Sequence, residues 1–195
     1  DWGRTGVWND DKIAAKRGFP PHPHRDMEIV TYVRTGAISH KDSLGNQGRT
    51  AAGDVQVMSA GTGVQHSEFN LDDEDTTLFQ IWIETDQPGA EPGWGAMPFP
   101  KDSREGRFQL LASGEPDDGA LTIHADAKVL GATVKGGGRI VYEADPGRHL
   151  YLVPSARVRV NGKDAGPRGG VAITGEDRVE IAADADAELV LVDAR

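Results

Sequence analysis

Two of the chain's six histidines stand one residue apart in "PHPHRDME", residues 21–28, and a third, His66, stands two residues before Glu68 in "GVQHSEFN". Side chains two apart on a β-strand share a face, so His22 and His24 point one way, as do His66 and Glu68. Two such strands can offer four ligand groups to a single point. Three imidazoles and a carboxylate suit Fe(II), Mn(II), Ni(II), Cu(II) or Zn(II), and four protein ligands leave up to two positions open on an octahedral ion. An open position is where a substrate can meet the metal. Glu28 shares the face of His24 if the strand runs unbroken, so it competes with Glu68 for the carboxylate role or orients an imidazole instead. Arg25 alternates to the opposite face, and a contact with substrate would need a local bend; it is read first as structural.

The elements that must hold these groups are strands. Twenty-five glycines and eleven prolines lie among short runs rich in Val, Ile, Thr and Tyr, the pattern of many strands joined by tight turns. "MEIVTYV" (27–33), "DVQVMSA" (54–60), "VQHSEF" (64–69) and "LFQIWIE" (78–84) read as strands, with a turn at "DSLGNQG" (42–48). Close spacing of short strands favours a sandwich or jelly roll over an α/β layout. The stretch 86–107, dense in Pro and Gly and without strand alternation, reads as a connection. Strands resume with "LTIHA", "RIVYEA", "HLYLV", "ARVRV", "VAITG", "RVEIA" and "ELVLVD". The halves echo one another: "GDVQVMSAG" from Gly53 resembles "GGVAITG" from Gly169, and "PPHPH" has a faint counterpart in "PGRHLY". Where the first half gives His66 and Glu68, the second gives "RVEIA", so the repeat has lost its polar cluster. His124 and His149 are therefore expected to be structural or surface histidines.

Composition narrows the functions. A formal charge of −10 and a pI near 5.0 disfavour direct binding to nucleic acid or anionic membrane, which attract basic surfaces. No run of eighteen apolar residues exists to span a bilayer. With no cysteine, disulfides, thiolate metal sites and cysteine nucleophiles are excluded. This suits the cytosol, and a cytoplasmic location is expected.

"GFPPHPHRDMEIVTYVRTGAISHKDSLGNQG" followed by "AAGDVQVMSAGTGVQHSEFN" resembles the pirin family of the cupin superfamily, in the bacterial branch with quercetin 2,3-dioxygenase-like members. The cupin pattern runs His22-x-His24-x3-Glu28-x7-Gly36, then Gly63-x2-His66-x3-Asn70; His-Pro-His-Arg at 22–25 and His66-Ser-Glu68 are the pirin-specific parts. The resemblance implies an all-β bicupin, two jelly-roll-like barrels packed together with few helices. Residues 1–103 are expected to form the metal-binding cupin domain and 107–195 a second one without ligands. Family members carry a few dozen residues before the stretch similar to "GRTGVWNDD", so the first barrel is expected to lack some N-terminal strands.

The resemblance also assigns the metal ligands to His22, His24, His66 and Glu68, with Glu28 outside them. It implies one divalent transition metal, iron(II) first, with manganese, nickel, copper, cobalt or zinc also compatible. The implied activity is that of an oxidoreductase, a quercetinase that opens a flavonol ring with O₂ and releases carbon monoxide, with Glu68 as catalytic base. Two other readings stay open: a redox-responsive iron-binding protein acting through a protein partner in regulation, and a non-oxidative zinc isomerase.

Overall fold

The computed structural model describes residues 1–115 and 119–195. Its first half runs through β1 (Thr5–Ile13), β2 (Gly18–His24), β3 (Met27–Thr35), β4 (Ala37–Asp42), β5 (Gln47–Ala51), β6 (Val55–Ser59), β7 (Val64–Phe69), β8 (Thr76–Glu84) and β9 (Gly93–Met97). A 3-10 turn, Lys101–Arg104, follows. The second half holds β10 (Gln109–Ser113), β11 (Leu121–Thr122), β12 (Ala127–Val134), β13 (Arg139–Glu143) and β14 (His149–Pro154), then β15 (Val158–Val160), β16 (Lys163–Ala165), β17 (Val171–Ile173), β18 (Arg178–Ala183) and β19 (Ala187–Ala194). No described helix is long and apolar enough to cross a membrane.

Each half closes two sheets over an interior. In the first, β1-β8-β3-β6-β9 faces β2-β7-β4-β5; in the second, β11-β10-β12-β19-β14-β17 faces β13-β18-β15-β16. The orders β1-β8-β3-β6 and β12-β19-β14-β17 correspond strand for strand, as do β2-β7-β4-β5 and β13-β18-β15-β16. The echo in the sequence is thus a repeat of fold, with β6 and β17 in matching places. The pairing of "PPHPH" with "PGRHLY" does not survive: the counterpart of β2 is β13, whereas His149 opens β14, the counterpart of β3.

Alternation along the strands divides apolar side chains between two cores. On β8, Phe79, Ile81 and Ile83 join Val30, Tyr32, Val55 and Val57 and meet Leu111, Val129, Val190 and Val192 of the second half, one buried cluster binding the barrels together. From the other face of the same strand, Leu78 packs with Ile13, Val33 and Ile38 inside the first barrel. The second barrel is filled by aliphatic side chains that include Ile140, Val158, Val160, Val179 and Ile181. Burial on two faces explains why β8 and β19 read as near-continuous apolar runs.

The stretch 86–107 is not wholly a connection, since β9 pairs with β6 from Val55↔Met97 to Ser59↔Gly93. "GWGAM" carries only two large side chains, Trp94 between two glycines and Met97 at its end. Strand pairing uses the main chain, so an edge strand this poor in side chains leaves little alternation to read.

The buried Arg104 ties the 3-10 turn to the first barrel. It donates to the Tyr32 hydroxyl (2.9 Å) and to the Gly53 and Phe99 carbonyls (2.9 and 2.8 Å), with its guanidinium 5.5 Å from the Tyr32 ring centre. Burial lowers its pKa to about 10, which still leaves it charged. Arg104→Ala leaves three acceptors unpaired beside a cavity, and urea unfolding should show a loss of about 3 kcal/mol. A change below about 1 kcal/mol would show that the contact contributes little to stability.

Candidate metal centre

The edge strand β2 carries Pro20, Pro21 and Pro23, which an edge tolerates because an absent N–H there breaks no ladder. Their fixed φ keeps the chain extended, so His22 and His24 stay on one face. Pairing with β7 sets His22 directly opposite His66 and His24 opposite Val64, after a register shift between Phe19 and His22. The Nε2 atoms of His22 and His66 lie 2.9 Å apart. With His24 they form a group whose ligand nitrogens all fall within 4.8 Å of one another.

This arrangement fits a metal ion. His22 Nδ1 lies 2.8 Å from the Pro20 carbonyl, an acceptor only, so Nδ1 carries the proton and the Nε2 lone pair is left facing His66. Two neighbouring ligand nitrogens about 2.1 Å from an octahedral ion stand about 3.0 Å apart, close to the spacing here. Burial, followed by the neighbouring His22, His24 and His40, lowers the pKa of His66 to about 3. Burial and then His22 lower that of His24. Both rings are therefore held neutral, the form that coordinates.

Glu68 stands beside the cluster, with Oε1 3.5 Å from His66 Nδ1. Gln80 donates to its Oε1 (3.0 Å) and Gln56 to its Oε2 (3.4 Å). The amides are themselves turned toward it, since Thr50 donates to the Gln56 oxygen (3.1 Å) and the Trp82 indole to the Gln80 oxygen (3.1 Å). Burial raises the Glu68 pKa to about 7. A carboxyl poised between its two forms near neutrality can bind a cation or take a proton.

Glu28 does not share the cluster's face. β2 ends at His24, and Asp26, at φ 46°, turns the chain before β3 begins. Glu28 is then 1 % exposed, accepting from the Ser59 hydroxyl (2.8 Å) and the His124 N–H. Its Oε1 also lies 3.7 Å from His124 Nδ1, so the imidazole it touches belongs to the second half rather than to the cluster. His149 packs edge-on against Trp2. Arg25, on the face away from the cluster as alternation predicts, has a side chain 75 % exposed.

Sequence reading passed over His40 and Asp42. Both are buried, with His40 Nε2 2.8 Å from Asp42 Oδ2 and the His40 ring stacked on Trp94 (5.0 Å, 9°) and 5.4 Å from His66. Alternation of Ile38, His40 and Asp42 along β4 was the available signal. Gly48 makes room for the stack, because a Cβ there would meet the Trp94 ring at 2.5 Å.

The second barrel has no such centre at the matching positions. Ile140 pairs with Ile181 as His22 does with His66, and Val160 pairs with Ile181 as Asp42 does with His66.

A family model for pirin matches residues 2–83, and one for the quercetinase C-terminal cupin domain matches residues 110–194. A pirin-like protein of Caulobacter vibrioides is 58 % identical over 196 residues, covering 100 % of this chain and 84 % of the relative. The chain belongs to the pirin family. A quercetin 2,3-dioxygenase of Escherichia coli K12 is 39 % identical over 189 residues, covering 96 % of this pirin-family chain and 80 % of the relative. The crystal structure of the bacterial pirin YhhW from Escherichia coli in complex with nickel(II) superimposes with a TM-score of 0.91 at 36 % identity, covering 99 % of this chain and 83 % of that one. The two-barrel cupin fold expected from the sequence is therefore the fold observed.

Replacing His22 or His66 by Ala should cut metal content to below about a tenth, while His124→Ala and His149→Ala retain it; elemental analysis after reconstitution decides. Equal loss from all four would contradict the cluster. If Glu68 joins the three imidazoles on the ion, binding displaces the proton it holds below pH about 7, and affinity should rise with pH up to that point. In Glu68→Gln the proton release measured by calorimetry near pH 6 should fall by about one; an unchanged value would mean that Glu68 keeps its proton or has none to lose.

Proposed function

We propose that the chain is a metal-dependent dioxygenase acting on flavonols, as its resemblance to quercetin 2,3-dioxygenases suggests. The observation that carries the reading is the group of three imidazoles, His22, His24 and His66, with the facing nitrogens of His22 and His66 2.9 Å apart. In this reading residues 1–103 form the metal-binding unit, and 107–195 supply a barrel without ligands that supports it.

His22, His24 and His66 hold the ion, with Glu68 as fourth ligand. Iron(II) is the first choice among divalent ions that accept three imidazoles and a carboxylate; nickel(II), held by the similar YhhW, suits the same donors. The ion supplies a Lewis-acidic anchor for the flavonol 3-hydroxyl and 4-carbonyl oxygens and favours the deprotonated, electron-rich form that reacts with O₂. Glu68 takes the 3-hydroxyl proton, held in place by Gln80 and Gln56. Trp82 lies edge-on to His24 at 5.2 Å and packs beside that ring.

Anaerobic protein reconstituted with iron(II), given quercetin and then O₂, should consume O₂, bleach the flavonol and release carbon monoxide. The same mixture with His66→Ala controls for free metal and autoxidation. Binding without O₂ uptake, in protein shown to hold metal, would overturn the oxygenase reading. Glu68→Gln should lower kcat by roughly a hundredfold at saturating metal; full recovery on adding iron(II) would leave Glu68 as a ligand only.

A further inference from the structure

We infer that His40 is a positioning residue for the metal ligand His66: locked between Asp42 and Trp94, its ring packs against the His66 ring and holds it turned toward His22. The inference rests on reading the three-imidazole group as a metal centre.

His66 lacks the usual means of orientation. A ligating imidazole is ordinarily held by a hydrogen bond from its second ring nitrogen. His22 has one, from Nδ1 to the Pro20 carbonyl (2.8 Å). His66 Nδ1 is buried and has no hydrogen-bond partner among the described residues; Glu68 Oε1 lies 3.5 Å away. Packing has to do the work instead. On the side of β7 away from β2, the ladder with β4 sets Asp42 opposite His66 and His40 opposite Glu68. The His40 ring lies 5.4 Å from that of His66, tilted by 51°.

His40 is itself fixed from two directions. The Asp42 carboxylate accepts from the Leu44 N–H (2.9 Å), the Asn46 N–H (3.0 Å) and Asn46 Nδ2 (3.1 Å). It offers His40 only lone pairs, so His40 Nε2 carries the proton and donates to Oδ2 at 2.8 Å. Trp94 stacks on the ring at 5.0 Å and 9°, in the room that Gly48 leaves. Both side chains of the His40–Asp42 pair are wholly buried, and burying such a pair is costly.

The repeated fold shows that a barrel of this kind does not need it. Ile181 and Ala183 of β18 stand where β7 has His66 and Glu68, and β15 opposes them with Val160 and Val158 where β4 has Asp42 and His40. The second barrel's larger sheet ends at β17, the counterpart of β6, so among the described residues nothing matches β9 and Trp94. His40, Asp42 and Trp94 thus accompany the ligands rather than the fold.

The test compares His40→Leu with His40→Phe in nickel(II) binding, measured by competition with a chelator. Both variants lose the hydrogen bond to Asp42 and share its effect on stability, read by urea unfolding of metal-free protein. Only Phe keeps a ring against His66. His40→Leu should weaken nickel binding by about tenfold or more at unchanged stoichiometry, and His40→Phe should recover most of that loss. Gly48→Ala, whose Cβ would meet the Trp94 ring at 2.5 Å, disturbs the stack without touching the hydrogen bond to Asp42 and should weaken binding too. Wild-type affinity in His40→Leu, or equal weakening by Leu and Phe, would overturn the role. So would an X-ray absorption signature that loses an imidazole in His40→Phe, since His40 would then be a ligand. Should neither His40 variant fold, wild-type affinity in Gly48→Ala would overturn it. Wild-type protein that takes up no nickel would remove the metal centre itself and this role with it.

Discussion

The pairing of His22 with His66 across β2 and β7 is the constraint on which the rest of the first barrel depends. Cross-strand partners stand close enough for side chains to touch. Here the partners are two imidazoles whose nitrogens meet at 2.9 Å, and His22, its Nδ1 tied to the Pro20 carbonyl, offers a lone pair there. A cation or a single shared proton between the rings satisfies that contact. Everything nearby reinforces the same demand: burial holds His66 and His24 neutral, the Pro20 carbonyl fixes one tautomer, and two oriented glutamines hold Glu68 alongside.

A repeated fold makes the cost of this arrangement visible. The second barrel keeps the same strand orders but seats Ile140 and Ile181 where the first seats His22 and His66. Its interior is packed with aliphatic side chains and needs no ion to neutralise it. The first barrel gives up part of that packing for a polar interior, and leans for support on the apolar cluster it shares with its neighbour. One half thus carries the histidine cluster and the other an aliphatic interior.

Much of this was legible in the chain because the signals are local. Strand alternation puts His22 beside His24 and His66 beside Glu68 whatever the tertiary fold, and the Gly- and Pro-rich turns announce an all-β protein. What stayed hidden depends on backbone geometry or on distant partners. The face of Glu28 could not be read because Asp26 bends the chain between it and His24. β9 escaped notice because its pairing with β6 needs only main-chain groups. Gln56 and Gln80 look like ordinary polar strand residues until β6, β7 and β8 surround one carboxylate, and His40 gains its significance only from Trp94, fifty-four positions along.

The central claim is that the three imidazoles of His22, His24 and His66, from two strands, converge on one ion. X-ray absorption at the metal edge of protein loaded with one equivalent of nickel(II) tests it most directly. Nitrogen and oxygen scatterers only, with the multiple-scattering signature of three imidazole rings that drops to two in His24→Ala, is the result this account expects. A signature of one ring or none in the wild-type protein, or one that His24→Ala leaves unchanged, would contradict it.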